Sequence, residues 1–295
     1  TRVVNFSHGE VFATAAFIGY LLTYNGISYW GALFLSILIT FVLGVLIERG
    51  AYRPLSKASD LSLIIATIAV SFIIKGIVRY SYGARGDFRS FPPIFSFEPL
   101  IIKGIFIQPQ QLVMAAVALV CMGIFALFFA FTRQGKMIQA VSEDKEAAEM
   151  VGVNVNMTFL WVWGLGALLG GLAGVLMAPV TLVYPDMGWS ILVKSFAAAV
   201  LGGLDSLVGA VIGGLLLGVF EQLLAGYVGT MFHSIAGFAV IIIVLLFRPH
   251  GILGSKESVR KQIGMAVPVM GAKIIFDSVL KTIARIDYPC VDEKF

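Results

Sequence analysis

Charge is scarce in this sequence. Asp, Glu, Lys and Arg make up 13% of its 295 residues, against 59% hydrophobic residues. Residues 11–47, 112–132 and 150–185 carry none at all. A soluble domain needs charged outer helix faces, and these stretches cannot supply them. Cysteine is equally sparse. Cys121 and Cys290 lie far apart, which leaves no disulfide framework and no metal-ligand spacing, so no metal site is expected. A Gly-Lys-Ser/Thr phosphate loop is missing, because Gly135-Lys136 runs into Met137. No His-Glu-x-x-His spacing occurs either. Catalytic residues, a cofactor held by this chain and a nucleic-acid partner are therefore not expected.

What the chain has is apolar length. Mean hydropathy is +0.93. A helix needs about 20 residues to cross the hydrocarbon core of a bilayer. Eight hydrophobic segments fit: roughly 8–24, 31–47, 61–79, 112–131, 157–178, 189–204, 207–225 and 232–247. They are rich in Leu, Ala, Gly and Ile without strict alternation, which favours helices over a closed barrel. The expected fold is all-α, a polytopic transmembrane helical bundle in contact with lipid. The chain opens on Thr1 and shows no signal peptide, and one upstream helix is expected to be missing from it.

Basic loops set orientation. Arg49, Arg53 and Lys57 lie in one loop, Arg133 and Lys136 in a second, and Arg248, Lys256, Arg260 and Lys261 follow the last segment. All are expected on the cytoplasmic side. That requires segment 189–204 to cross fully, although it is short, carries Lys194 and has the look of a re-entrant piece. Loop 80–111, with Arg85, Arg89 and Lys103, is expected outside. The membrane domain is expected over 1–254. A cytoplasmic or interfacial tail is expected over 255–295, where Lys273, Asp277, Lys281 and Arg285 recur every four residues along one helical face.

Glycine is abundant, at 32 residues. Gly166, Gly170 and Gly174 repeat every four residues, as do Gly209 and Gly213. Such rows let helix backbones approach closely. Ionisable groups near span interiors are Lys75, Lys194, Asp205, Glu221, His8 and His233. Lys75 and Lys194 are expected to snorkel towards the headgroups. Asn5, Ser7, His8, Thr67, Ser71, Tyr184 and Ser195 could line a weakly polar translocation route, or serve helix-to-helix hydrogen bonding instead.

One block stands apart. "AVSEDKEAAEMVG" (140–152) packs Glu143, Asp144, Lys145, Glu146 and Glu149 into seven residues. Ser142 is expected to cap a short helix there, with Glu143 and Asp144 in its first turn, Lys145 pairing with Glu149 and Gly152 ending it. Its mostly acidic charge disfavours adhesion to anionic lipid. Docking into another protein and packing as an ordinary loop are the two readings that remain.

Here the chain resembles a known family. "NFSHGE" (5–10), "AVSEDKEAAEMVGV" (140–153), "FAAAVLGGLDSLVGAVIGG" (196–214) and "RPHGILG" (248–254) resemble four ordered motifs of the permease subunits of bacterial branched-chain amino acid ABC importers. Asp205 departs from the more usual glycine. The resemblance implies that Glu146, Ala147, Ala148 and Gly152 form a coupling helix. It implies two cytoplasmic ATPase subunits that bind ATP and magnesium, a second and homologous permease subunit, and an extracytoplasmic amino-acid-binding protein. It places the chain in the bacterial inner membrane. The alternatives are a secondary transporter or channel for small solutes, and an ABC permease for urea or short amides.

Overall fold

The structure, a computed structural model, describes residues 5–56, 58–82, 88–92, 100–102, 105–204, 206–229, 233–247 and 251–254. Asp205, Lys57, Arg85, Lys103, Arg248 and the tail from 255 lie outside them.

Each of the eight apolar segments is a helix. They are α1 (His8–Tyr24), α2 (Tyr29–Ile47), α3 (Asp60–Tyr82), α4 (Pro109–Phe131), α7 (Val155–Thr181), α8 (Met187–Gly202), α9 (Leu207–Tyr227) and α10 (His233–Phe247). Two short helices, α5 (Arg133–Glu143) and α6 (Lys145–Met150), fill the loop before α7. Among the described residues, five helical stretches are long and apolar enough to cross a membrane: Tyr29–Leu55, Leu61–Ser81, Pro109–Phe131, Val155–Thr181 and Val208–Tyr227. The exception to the helical rule is a small hairpin, β1 (Leu100–Ile102) paired antiparallel with β2 (Ile105–Ile107).

The chain forms two compact units, Thr1–Ser195 and Phe196–Phe295. In the first, α7 packs along both α1 and α2. Small residues make this possible. A Cβ added at Gly171 would overlap the Thr40 side chain, one at Gly174 the carbonyl of Phe12, and one at Gly44 the Ala167 side chain. Backbones thus meet where side chains would hold them apart.

Pro179 interrupts α7. It has no N–H to give the Val175 carbonyl. The Tyr29 hydroxyl donates to that carbonyl at 3.5 Å, and Gln110 Nε2 donates to the neighbouring Leu176 carbonyl at 2.8 Å. Within a bilayer such carbonyls have no water to turn to. The helix then stops at Leu182, whose φ of 64° is left-handed.

Two ends of this unit are distinguishable. Arg53 reaches the Asn156 carbonyl at 3.5 Å, which sets the turn after α2 beside the start of α7. The basic loops carrying Arg53 and Lys136 therefore share that end. At the other end, Arg89 bridges the backbone of Val183, and its guanidinium lies 5.4 Å from the Tyr20 ring. Arg89, in the stretch expected outside, thus lies at the end opposite the Arg53 turn.

In the second unit α9 and α10 pack together. Gly202 and Gly209 touch backbone to backbone, and Gly213 abuts the Ala198 carbonyl. The closing segment caps α8. Gly251 takes φ 68° against the backbone of Gly203, and the N–H groups of Ile252 and Leu253 bond the carbonyls of Leu201 and Gly202, both at 2.9 Å. Those are carbonyls that a helix end leaves unpaired.

Candidate functional site

Four of the seven pathway candidates come together at the start of α1. Asn5 Oδ1 accepts from the Ser7 hydroxyl at 2.6 Å and from the Ser7 N–H at 3.0 Å. Thr67 Oγ1 accepts from the Phe6 N–H at 3.3 Å. The His8 ring lies over Gly170. Gly170 stands fifteen residues into α7, roughly 22 Å of rise from its start. The polar opening of α1 therefore lies beside the middle of α7, with Ser7 buried and Asn5 and His8 half-buried.

Ser71 follows Thr67 by one helical turn and is half-buried. The other two candidates lie elsewhere. Tyr184 packs at a tilt against Phe88 with ring centroids 5.0 Å apart, and Ser195 is exposed on α8.

Gly9 and Gly188 bring the first turns of α1 and α8 into backbone contact. Around them sits a charge group that the sequence did not reveal. Asp186 binds Lys75 and, at 3.4 Å, Arg79. Buried Glu10 faces both Lys75 and Asp186. Lys75, expected to snorkel, is thus tied to a carboxylate before the α8 N-terminus.

Beneath His8 lies a cavity of about 160 Å³. Asn5 and His8 are its polar lining residues, and Val11, Ile47, Ala167 and the Trp163 ring give it apolar walls. Gly166 parts from the expected packing row here. It lines the cavity, and a Cβ added to it would meet nothing within 4 Å.

The charged block folds differently from the expected single helix. Ser142 does not cap it; its hydroxyl donates back to the Gln139 carbonyl at 2.7 Å, inside the last turn of α5. Asp144 is the break and the cap, accepting from the N–H groups of Glu146 and Ala147 at 2.9 and 3.0 Å. A carboxylate there meets both the free N–H groups and the helix dipole. Lys145 turns to the Phe159 ring, 5.9 Å away, rather than to Glu149. Gly152 does end the helix, with φ 87°. Its N–H bonds Glu149 at 3.0 Å while the Val153 N–H bonds Ala148 at 3.0 Å, the paired closure that a left-handed glycine permits.

Of the four coupling candidates, Ala148 alone is buried; Glu146, Ala147 and Gly152 are exposed. Met150 is 85% exposed and Val151 80%. The helix therefore holds to its own protein through Ala148 and the Lys145–Phe159 contact, and Met150 and Val151 at its end stand exposed.

Behind Ala148 runs an aromatic stack. Phe159 lies 5.3 Å from Tyr52, and Tyr52 lies 5.2 Å from Trp163, which reaches the cavity wall. Tyr52 belongs to a π-helical turn, Glu48–Tyr52, that continues α2. Buried Glu48 anchors that turn by accepting two bonds from Arg53, each 3.1 Å long. Sequence reading missed both the turn and the stack. Three aromatic residues, Tyr52, Phe159 and Trp163, were the available signal, but only the fold brings Tyr52 to Phe159.

Helices apolar and long enough to cross a membrane, with a cavity among α1, α2 and α7 in the first unit, define a multi-pass membrane protein. The chain belongs to the branched-chain amino acid transport system permease component family, whose pattern matches residues 1–246. It is 33% identical over 269 residues to the high-affinity branched-chain amino acid transport system permease protein BraD of Pseudomonas aeruginosa, covering 86% of this chain and 87% of that one. The LivH permease protein of Escherichia coli is 31% identical over the same shares. A probable LivH permease of Methanocaldococcus jannaschii is 28% identical over 278 residues, covering 86% of this chain and 84% of its own. No solved structure matches the chain significantly.

Proposed function

We propose that this chain is the membrane-spanning subunit of an ATP-driven importer for branched-chain or related small amino acids. Its partners are two cytoplasmic ATPases, which carry ATP and magnesium, a second permease and an extracytoplasmic binding protein. Its place is the bacterial inner membrane. The observation that carries this reading is α6. A six-residue helix is too short to persist by itself. This one is fixed at both ends by Asp144 and Gly152, yet it leaves Met150 and Val151 in the open. Such a helix is built to be gripped. Glu146 and Ala147 complete its outward surface.

The mechanism follows from what α6 touches. When the ATPases close and push α6, Lys145 and Ala148 press on Phe159 and the start of α7. Phe159 moves Tyr52, and Tyr52 moves Trp163 at the cavity. The π-helical turn lets Tyr52 shift without breaking α2, since such a turn already departs from regular helix bonding. Asn5, Ser7, His8, Thr67 and Ser71 supply the polar lining of the route. Weak polarity suits a subunit whose binding protein does the capture.

The test is a Glu146→Ala, Gly152→Ala double variant. It is expected to insert normally into membranes but to lose ATPase co-purification or ATP-driven transport. Full ATP-driven transport by this variant would remove α6 from the coupling role.

A further inference from the structure

Four polar residues of α3 stand four apart: Thr67, Ser71, Lys75 and Arg79. At that spacing each neighbours the next, over about 18 Å of helix. Exposure falls along the row. The Arg79 side chain is 66% exposed and that of Lys75 23%, Ser71 is half-buried, and Thr67 is buried beside the Phe6 N–H. Arg79 marks the end opposite the Arg53 turn, because its partner Asp186 follows Val183, where Arg89 is bridged.

Two carboxylates face this row. Asp186 is shared by Arg79 and Lys75. Glu10 is only 3% exposed and faces Lys75 and Asp186, yet among the described residues its carboxylate accepts no hydrogen bond. Its oxygens are not sealed from their surroundings. A buried charge without a donor is costly, and an ionisable group inside a membrane bundle marks a working site. From the surface inward the signs alternate: Arg79, Asp186, Lys75, Glu10.

Resting on the importer reading above, we propose that this ladder is the entry path for the zwitterionic head of the amino acid, and that Glu10 receives its ammonium group at the inner end. An ammonium offers three donors and no acceptor, which is what an unbonded carboxylate takes. Lys75, beside Glu10, is the matching partner for the substrate carboxylate once Asp186 releases it. Alternating signs suit a zwitterion, because each end passes from one charged partner to the next and is never left bare in a poorly solvated place. The path ends where the polar lining begins: Ser7 lies one turn before Glu10, its carbonyl bonded to the Glu10 N–H at 3.1 Å.

Three variants test this in the complete importer reconstituted in liposomes. Glu10→Gln keeps the shape and removes the charge. It is expected to lower ATP-driven leucine uptake about tenfold. Subunit co-purification and melting temperature should hold, because the carboxylate bonds nothing in the protein. Glu10→Asp keeps the charge and should stay within about threefold of the unsubstituted rate. Lys75→Met combined with Asp186→Asn removes an ion pair from both sides. A pair that only braces the fold tolerates that loss, since neither charge is left alone. A path does not, and uptake is expected to fall about tenfold with the assembly intact. Unchanged uptake in Glu10→Gln or in the paired variant overturns the proposal. So does a Glu10→Gln loss that comes with failed co-purification or a lower melting temperature, which would make the carboxylate a prop of the fold. Absence of ATP-driven uptake in the unsubstituted importer is a different failure, which removes the importer reading itself and this path with it.

Discussion

At the scale of single residues, glycine divides into two kinds. Gly171 and Gly174 stand where another backbone or side chain already occupies the space of a Cβ. Gly171→Ala and Gly174→Ala are expected to cost about 1–3 kcal/mol each, by overpacking. Gly166→Ala is expected to leave stability at the unsubstituted level or above it, because its Cβ would stand free and alanine is the better helix former. Thermal unfolding in detergent separates the two kinds. The spacing of four residues announced Gly166, Gly170 and Gly174 in the sequence, but not Gly171. It did not announce that Gly166 faces a cavity, because spacing alone does not reveal which neighbour a helix face meets. Leu182 makes a second case. Its φ of 64° and ψ of 159° belong to a region that glycine alone enters freely. Leu182→Gly is expected to raise the melting temperature, relieving about 1–3 kcal/mol of strain against a smaller entropic loss of about 0.5–1 kcal/mol. No apolar periodicity signals such a residue.

At the scale of elements, the long helices were legible because lipid leaves the chain one local answer. An apolar run must pair its own backbone, and the eight runs became eight helices with ends within a few residues of those expected. The short elements were less so. Residues 132–136 read as a basic loop, but Thr132 caps α5 by accepting from the Gly135 N–H at 3.0 Å, and Gly135 packs on the backbone of Phe128 and Phe129. In α6 the sequence reading gave the cap to Ser142, with Asp144 in the first turn; the break after Glu143 gave the role to Asp144. Asp144→Ala is expected to cost about 1 kcal/mol of local helix stability. Gly152→Ala is expected to cost about 1–2 kcal/mol by forcing a side chain into the left-handed region. Hydrogen exchange at the amides of Ala147 to Val153 should quicken in both variants, while exchange in the centre of α7 stays as it was. Quickening throughout α7 would show instead that α6 is part of the bundle's own core.

At the scale of the whole molecule, composition and function have one explanation. A subunit that works inside lipid and hands its chemistry to partners needs apolar helices, close packing and one polar handle. On the proposed reading the charged block is that handle, and charge concentrates there in an otherwise apolar chain. The family was legible from four ordered motifs. The interior of the site was legible only in part: Asn5 and His8 stood among the pathway candidates, but Trp163 meets them only after α1 and α7 pack. The most direct test of the importer reading is leucine uptake into liposomes holding this permease with its second permease, ATPases and binding protein. Uptake that requires enclosed ATP at the ATPase side, and that stops when the ATPases are omitted, is the expected result. Uptake by this chain without ATPases, driven by an ion gradient alone, would contradict it and make the protein a secondary transporter.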